Sequence, residues 1–192
     1  LFWWLVPVGW FAPVAMSPCE KAGRSGVWQH AIERCLESHR QSKDDRDLAG
    51  AAQAYLDGVQ LDEAAKLARQ LLAGPLYGRA HRILSYVELR GGDGDTARTH
   101  AAIAYVAHTL AGAEDERAKD AVSLAQAAWE VGDFTAALAA ADEALRLSSK
   151  LHEPVIELRA YLVRADVLRW LGEYKGAIEA ATSGVERATT PF

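Results

Sequence analysis

The chain has 192 residues, of which 50% are hydrophobic by type and 24% are charged, and alanine is the commonest residue. This composition suffices to bury a core and has no repeating glycine pattern, so it excludes collagen-like, low-complexity and wholly disordered proteins. The net charge of -5 argues against nucleic-acid binding, because neutralising phosphates requires a clustered basic excess.

Residues 1–18 form an apolar segment that carries no charge and is rich in tryptophan and phenylalanine. Pro7, Gly9 and Pro13 interrupt it, and it is shorter than the about 20 apolar residues that span a bilayer core. We therefore expect a secretory signal or the end of a membrane anchor, which would place the remaining chain in the periplasm or at a membrane. Two alternatives stay open: translation could begin at Met16, or the segment could pack as a hydrophobic lid on the first helices.

Cys19 and Cys35 are the two cysteines of the chain. With no paired C-x-x-C motif and no histidine cluster at metal-ligand spacing, a zinc site is not expected. If the chain is exported, these cysteines are predicted to form a disulfide that joins the first helix to the end of the apolar segment. If it is cytoplasmic, both are thiols. Pro18, directly before Cys19, argues against lipid attachment.

From residue 24 to residue 190 the apolar positions recur at i, i+3, i+4 and i+7 in blocks separated by glycine-containing turns. This period predicts helix throughout. Alternating strand patterns are absent from the sequence, so doubly wound and barrel enzymes are not expected.

An internal repeat accompanies this pattern. One small residue follows each turn at a fixed offset, with spacings of 33, 33, 40 and 40: Ala31, Ala64, Ala97, Ala137 and Ala177. A second series lies twelve residues before the last four of these: Ala52, Ser85, Ala125 and Ala165. Two antiparallel helices approach closely only where both carry small side chains. The sequence therefore predicts a half-repeat at 24–43 and helix pairs at about 44–76, 77–113, 114–153 and 154–190.

With Tyr55, Pro75, Phe134 and Tyr174, this pattern resembles the tetratricopeptide repeat (TPR) family. The resemblance implies an all-α fold for residues 19–192, a right-handed α-solenoid of antiparallel helix hairpins. It also implies that the first helix of each pair lines a concave face. The 40-residue spacing of the later repeats resembles the longer repeats of bacterial signalling proteins. The departures from the family pattern are Gln60 in place of the turn glycine, Glu88 in place of a bulky apolar residue, and Gly184 in place of alanine.

A row of cations lies in register near the start of the first helices: Arg46, Arg79, Lys119 and Arg159. A cation there opposes the helix dipole, so four in register indicate a function. The predicted ligand groove on the concave face comprises Arg46, Gln53, Arg79, Arg82, Tyr86, Lys119, Gln126, Trp129, Arg159, Asp166 and Arg169.

A basic edge and an aromatic floor suit an extended or helical peptide that carries carboxylates. Grooves of this family that clamp a C-terminal carboxylate also use asparagines, and this sequence has no asparagine. The alternative interpretation is an ordinary solvated surface on which the cations pair with nearby carboxylates: Asp44, Asp47, Glu114, Glu116 and Glu157.

No catalytic constellation is evident in the sequence. No two histidines are spaced i, i+4, and the glycine-rich turn at 91–94 lacks the Lys-Ser/Thr of a P-loop. We therefore predict a non-catalytic scaffold without cofactor or metal that binds a protein or peptide partner, with any membrane contact made through residues 1–18. Two alternatives stay open: the sensor or regulatory region of a larger bacterial signalling enzyme, and a peripheral structural subunit of a membrane assembly.

Overall fold

The structure, a computed structural model, describes Cys19, Ala22 and residues 27–189, so the predictions for residues 1–18 lie outside the described part. Residues 27–189 form nine α-helices and no strand: α1 (Trp28–Ser42), α2 (Asp45–Asp57), α3 (Leu61–Gln70), α4 (Tyr77–Gly91), α5 (Gly94–Leu110), α6 (Glu114–Glu130), α7 (Phe134–Leu151), α8 (Pro154–Trp170) and α9 (Tyr174–Thr189). The predicted all-α class is confirmed. None of these helices is long and apolar enough to cross a membrane.

The helices pack as consecutive hairpins, in which each helix contacts its neighbours along the chain. The first helices of the pairs, α2, α4, α6 and α8, also contact one another in order, whereas α3, α5, α7 and α9 do not. The first helices therefore form an inner layer and the second helices an outer layer. This arrangement is the predicted α-solenoid, and α1 packs on α2.

Small residues fill the contacts within the first three hairpins, whereas Ala165 and Ala177 of the last hairpin are only half-buried. Ala64, Ala97 and Ala137 are fully buried, as are their partners on the preceding helices, Ala52, Ser85 and Ala125. Close approach of two helix backbones at these points is what the sequence pattern predicted. Between successive inner helices, the hydroxyls of Ser85 and Ser123 form a buried hydrogen bond of 2.9 Å.

The turn between the two helices of each pair contains one residue with positive φ. Three of these residues are Gly92, Gly132 and Gly172, with φ of 84°, 76° and 78°, and the fourth is Val59, with φ of 60°. Gln60, which was predicted to replace the turn glycine, does not occupy that position, since it has φ of -93° and directly precedes α3. The residue that replaces the glycine is Val59. Val59 lies five residues before Ala64, as Gly92 lies five before Ala97.

Cys19 and Cys35 are joined by a disulfide that packs against α2. The point of contact is Gly50, where a Cβ would collide with Cys19 Sγ and would lie 3.2 Å from Cys35 Sγ. Glycine at this position therefore lets the disulfide sit directly on the α2 backbone.

Candidate functional site: the concave groove

Two adjoining cavities, of about 450 and 510 Å³, lie on the inner layer of helices. The first lies beside the N-terminal turns of α4, α6 and α8, and the second lies toward their C-terminal ends. Four residues line both cavities: Gln53, Asp57, Tyr86 and Arg159. The two cavities are therefore parts of one depression, which we call the concave groove, and the four shared residues form its junction.

The structure places most of the predicted groove residues here. Those that line a cavity are Gln53, Arg79, Arg82, Tyr86, Lys119, Gln126, Trp129, Arg159 and Asp166. Arg46 and Arg169 line neither cavity. Arg46 folds back onto Asp44, the residue that precedes α2, at 2.6 Å. Arg169 approaches Asp166 at 3.5 Å, and its guanidinium lies 5.6 Å from the centre of the Trp170 ring.

Several residues that line the groove were not predicted from the sequence. Asp57 lies at the junction, where its carboxylate accepts a hydrogen bond of 2.9 Å from Gln53 Nε2. Because Asp57 follows Gln53 by four residues on one helix face, helical spacing was a signal that could have identified it. Leu162 lies three residues after Arg159 and was detectable in the same way. Glu153 precedes α8 in a turn, where helical spacing gives no guide.

A buried ion-pair network lies beneath the first cavity and joins α4, α5 and α6. Arg82 Nη2 donates to Glu116 Oε2 at 2.5 Å and Arg82 Nη1 donates to Asp120 Oδ1 at 2.9 Å. The other oxygen of Asp120 accepts from His108 Nδ1 at 2.5 Å. Attraction to Glu116 and Asp120 outweighs the effect of burial and raises the pKa of Arg82 above its usual value. Arg82 is therefore a permanently charged structural link between helices.

Glu116 also neutralises two further cations of the groove. Its Oε1 accepts from Arg79 Nη2 at 2.8 Å and from Lys119 Nζ at 3.0 Å. Burial alone would raise the pKa of Glu116, but Arg82, Arg79 and Lys119 together hold that pKa well below its usual range. The carboxylate is therefore ionised at neutral pH. The cationic row predicted from the sequence is mostly paired internally.

Arg159 differs from the other cations of the first cavity. Within the part of the chain that the structure describes, its exposed guanidinium makes no ion pair, and it interacts instead with the hydroxyl of Tyr86. Burial raises the pKa of Tyr86, and the charge of Arg159 partly opposes that shift. The junction thus presents an available guanidinium beside a protonated phenol.

The second cavity has an apolar floor and one unsatisfied acceptor. Trp129 is half-buried there, and Leu162 exposes 48% of its surface. Gln126 Oε1 is buried and has no hydrogen-bond partner among the described residues. A buried acceptor without a donor destabilises the free protein, and a ligand that donates to it removes that penalty.

A histidine pair lies away from the groove, between α4 and α5. The Nδ1 atoms of His81 and His100 are 2.7 Å apart, so one donates to the other, and the edge of Tyr77 packs on His81. Burial lowers the pKa of both histidines, and the proximity of His100 lowers that of His81 further. This pair was not predictable from sequence spacing, because its members lie on different helices.

Neither a family model nor a curated protein matches the sequence. Two crystal structures of MamA, a TPR-like all-helical protein, resemble the chain in fold. One is 15% identical, has a TM-score of 0.60, and aligns over 91% of this chain and 96% of its own. The other is 14% identical, has a TM-score of 0.58, and aligns over 88% and 87% respectively. At these identities the likeness shows a TPR-like fold.

Proposed function

We propose that this chain is a non-catalytic protein-interaction scaffold that binds a segment of a partner protein in the concave groove. The observation that carries the proposal is the shared lining of the two cavities, which makes one groove along all four inner helices. A groove of this kind accommodates an extended segment better than a compact small molecule. The TPR-like fold supports this assignment.

The lining of the groove supports recognition by individual groups rather than by overall charge. Both cations and carboxylates line the first cavity, and most of the cations are already paired with Glu116 or Asp120. The surface that a partner contacts therefore has nearly balanced positive and negative charge. Affinity then depends on shape complementarity and on a few polar contacts.

A random peptide library displayed on phage and selected on the immobilised chain tests this proposal. Val155→Glu places a carboxylate in the first cavity, and Val106→Glu places the same charge on α5 outside both cavities. The two valines are similarly exposed, at 60% and 54%. We expect the selected peptides to lose binding to Val155→Glu and to keep it with Val106→Glu. Selection of no peptides, or equal binding to both variants, would contradict the proposal.

We also propose that the scaffold works outside the cytoplasm. The apolar residues 1–18 and the disulfide between Cys19 and Cys35 support this location, because disulfides persist in oxidising compartments. Fusion of the chain to alkaline phosphatase, which is active only where its own disulfides form, tests the location in a bacterial host. We expect activity with residues 1–18 present and its loss when they are removed. An inactive fusion of the whole chain, with full synthesis of the protein, would refute the extracytoplasmic location.

A further inference from the structure

The cations of the first cavity differ in their availability to a ligand. Arg79, Arg82 and Lys119 are committed to Glu116, and Arg82 also to Asp120. An incoming carboxylate would have to displace one of these partners. Arg159 makes no ion pair within the described residues, so a carboxylate can bind it with no such loss.

The position of Arg159 restricts which carboxylate can reach it. Arg159 and Tyr86 line both cavities, so they lie midway along the concave groove rather than at one end. A segment that fills both cavities continues on either side of this point. The group that meets Arg159 is therefore a side chain within the segment and not the C-terminal carboxylate.

The groups around Arg159 favour a hydrogen-bonded carboxylate at the junction. The Tyr86 hydroxyl can donate to one oxygen while the guanidinium donates to the other. Asp57, the carboxylate at the same junction, already accepts from Gln53 Nε2 at 2.9 Å. Asp57 and Arg159 are not ion-paired, so a ligand acid does not compete with Asp57 for the guanidinium.

The second cavity adds two further requirements. Gln126 Oε1, buried without a donor among the described residues, fits the backbone N–H of an extended segment. Trp129 and Leu162 offer apolar surface on the same side of the junction. An apolar side chain near the acidic one would cover this surface.

We infer that the concave groove selects an extended protein segment with an internal Asp or Glu side chain on Arg159 and Tyr86, and an apolar residue over Trp129 and Leu162. This inference rests on the proposed function and specifies its ligand. The acidic side chain binds through Arg159, the one guanidinium of the first cavity that has no ion pair among the described residues. The neighbouring backbone satisfies Gln126.

Peptides from the groove-dependent selection provide the probe. Each selected peptide is synthesised with its acidic residue and with the corresponding amide, Asp to Asn or Glu to Gln. Binding of both forms is measured to the wild-type chain, to Arg159→Gln, and to Arg34→Gln, a matched change at an exposed arginine of α1 that lines neither cavity. We expect the amide form to bind the wild type and Arg34→Gln about tenfold more weakly than the acid form, and Arg159→Gln to bind both forms alike.

The outcomes separate this inference from the proposed function. If no peptide depends on the groove, the proposed function fails. If groove-dependent peptides lack an internal acid, carry a basic consensus, or keep their preference for the acid with Arg159→Gln, the inference alone is overturned. It is also overturned if amidation of the peptide C-terminus abolishes binding, because the end carboxylate would then be the recognised group. Circular dichroism of Arg159→Gln checks that this exposed substitution leaves the helices intact.

Discussion

Val59 adopts a left-handed backbone conformation, and glycine occupies the equivalent position in the three other turns. For a β-branched residue this conformation is strained, since its Cβ lies too close to the neighbouring carbonyl. The side chain is 61% exposed, so little packing compensates for the strain. The first full repeat therefore holds a local defect that the later repeats lack.

Replacing Val59 with glycine is expected to raise the free energy of unfolding by about 1 kcal/mol, because relief of strain exceeds the added freedom of the unfolded chain. Urea denaturation followed by circular dichroism measures the change. The reciprocal control is Gly132→Val, whose added Cβ meets no atom within 4 Å, so any loss of stability there comes from the backbone. A stabilising Gly132→Val, or a neutral Val59→Gly, would refute the argument.

The histidine pair of α4 and α5 predicts a pH-dependent stability. Burial lowers the pKa of His81 and His100 from the ordinary value of 6.5, although Glu88 partly opposes the shift at His100 and Arg69 adds to it. The native state then binds fewer protons than the unfolded chain. The stabilisation that the neutral histidine pair provides is therefore complete above the pKa that histidine has in the unfolded chain. It is lost as the pH falls through the lowered pKa values of the native pair.

Thermal unfolding between about pH 7.5 and pH 5.5 measures this dependence. We expect the unfolding temperature of the wild type to fall toward the acidic end, and that of His100→Gln to fall less. His30→Gln, at an exposed position of α1, serves as the control and should follow the wild type. Parallel pH profiles for all three proteins would show that the pair does not govern the dependence.

The features of the fold and of the site that could be predicted from the sequence are those that recur at fixed offsets along the chain. Ala64, Ala97 and Ala137 mark the helix contacts through their offsets alone, and the same register places Tyr86 and Arg159 on the inner face. The pairing of side chains was not predictable in this way. Glu116 was one of several candidate carboxylates. The sequence did not indicate that it would pair with three cations, because such contacts depend on side-chain geometry between helices.

At the scale of the helix, α6 is attached to its neighbours through a buried charge. Asp120 is fully buried and contacts Arg82 of α4 and His108 of α5, so three helices meet at one carboxylate. A buried ion pair contributes little net stability compared with apolar packing, but removing one partner leaves the other charge uncompensated. The network therefore fixes how these helices dock more than it stabilises them.

Asp120→Asn keeps the size of the side chain and removes its charge. We expect it to lower the free energy of unfolding by about 3 kcal/mol, since Arg82 loses part of its compensation in a buried environment. The control is Lys66→Gln, which breaks an exposed pair with Glu63 on α3 and should change stability by less than about 0.5 kcal/mol. Urea denaturation measures the loss in free energy of unfolding for both variants. Similar losses would show that the buried network is no more sensitive to removal of a partner than an exposed ion pair.

At the scale of the whole molecule, the two ends of the described array are held differently. Helix α9 contacts α8 alone, whereas α7 packs between α6 and α8. As a result, Tyr174, Ile178 and Val185 of α9 remain exposed, while the equivalent Phe134, Leu138 and Leu145 of α7 are half-buried. At the opposite end, a disulfide links Cys35 of α1 to Cys19, which precedes this helix, and it packs against Gly50 of α2.

Repeat arrays gain stability from contacts between neighbours, so a helix with one neighbour opens more readily than one with two. We therefore expect amide hydrogen exchange of the full chain to be fastest in α9, slowest in α6 and α7, and intermediate in α1. A disulfide stabilises by restricting the unfolded chain, so its reduction should accelerate exchange in α1 and leave α9 unchanged. Mass-spectrometric exchange with and without reductant measures both effects. Uniform exchange along the helices would show that the array unfolds as one cooperative unit, and acceleration in α9 on reduction would show that the ends are coupled through the inner layer.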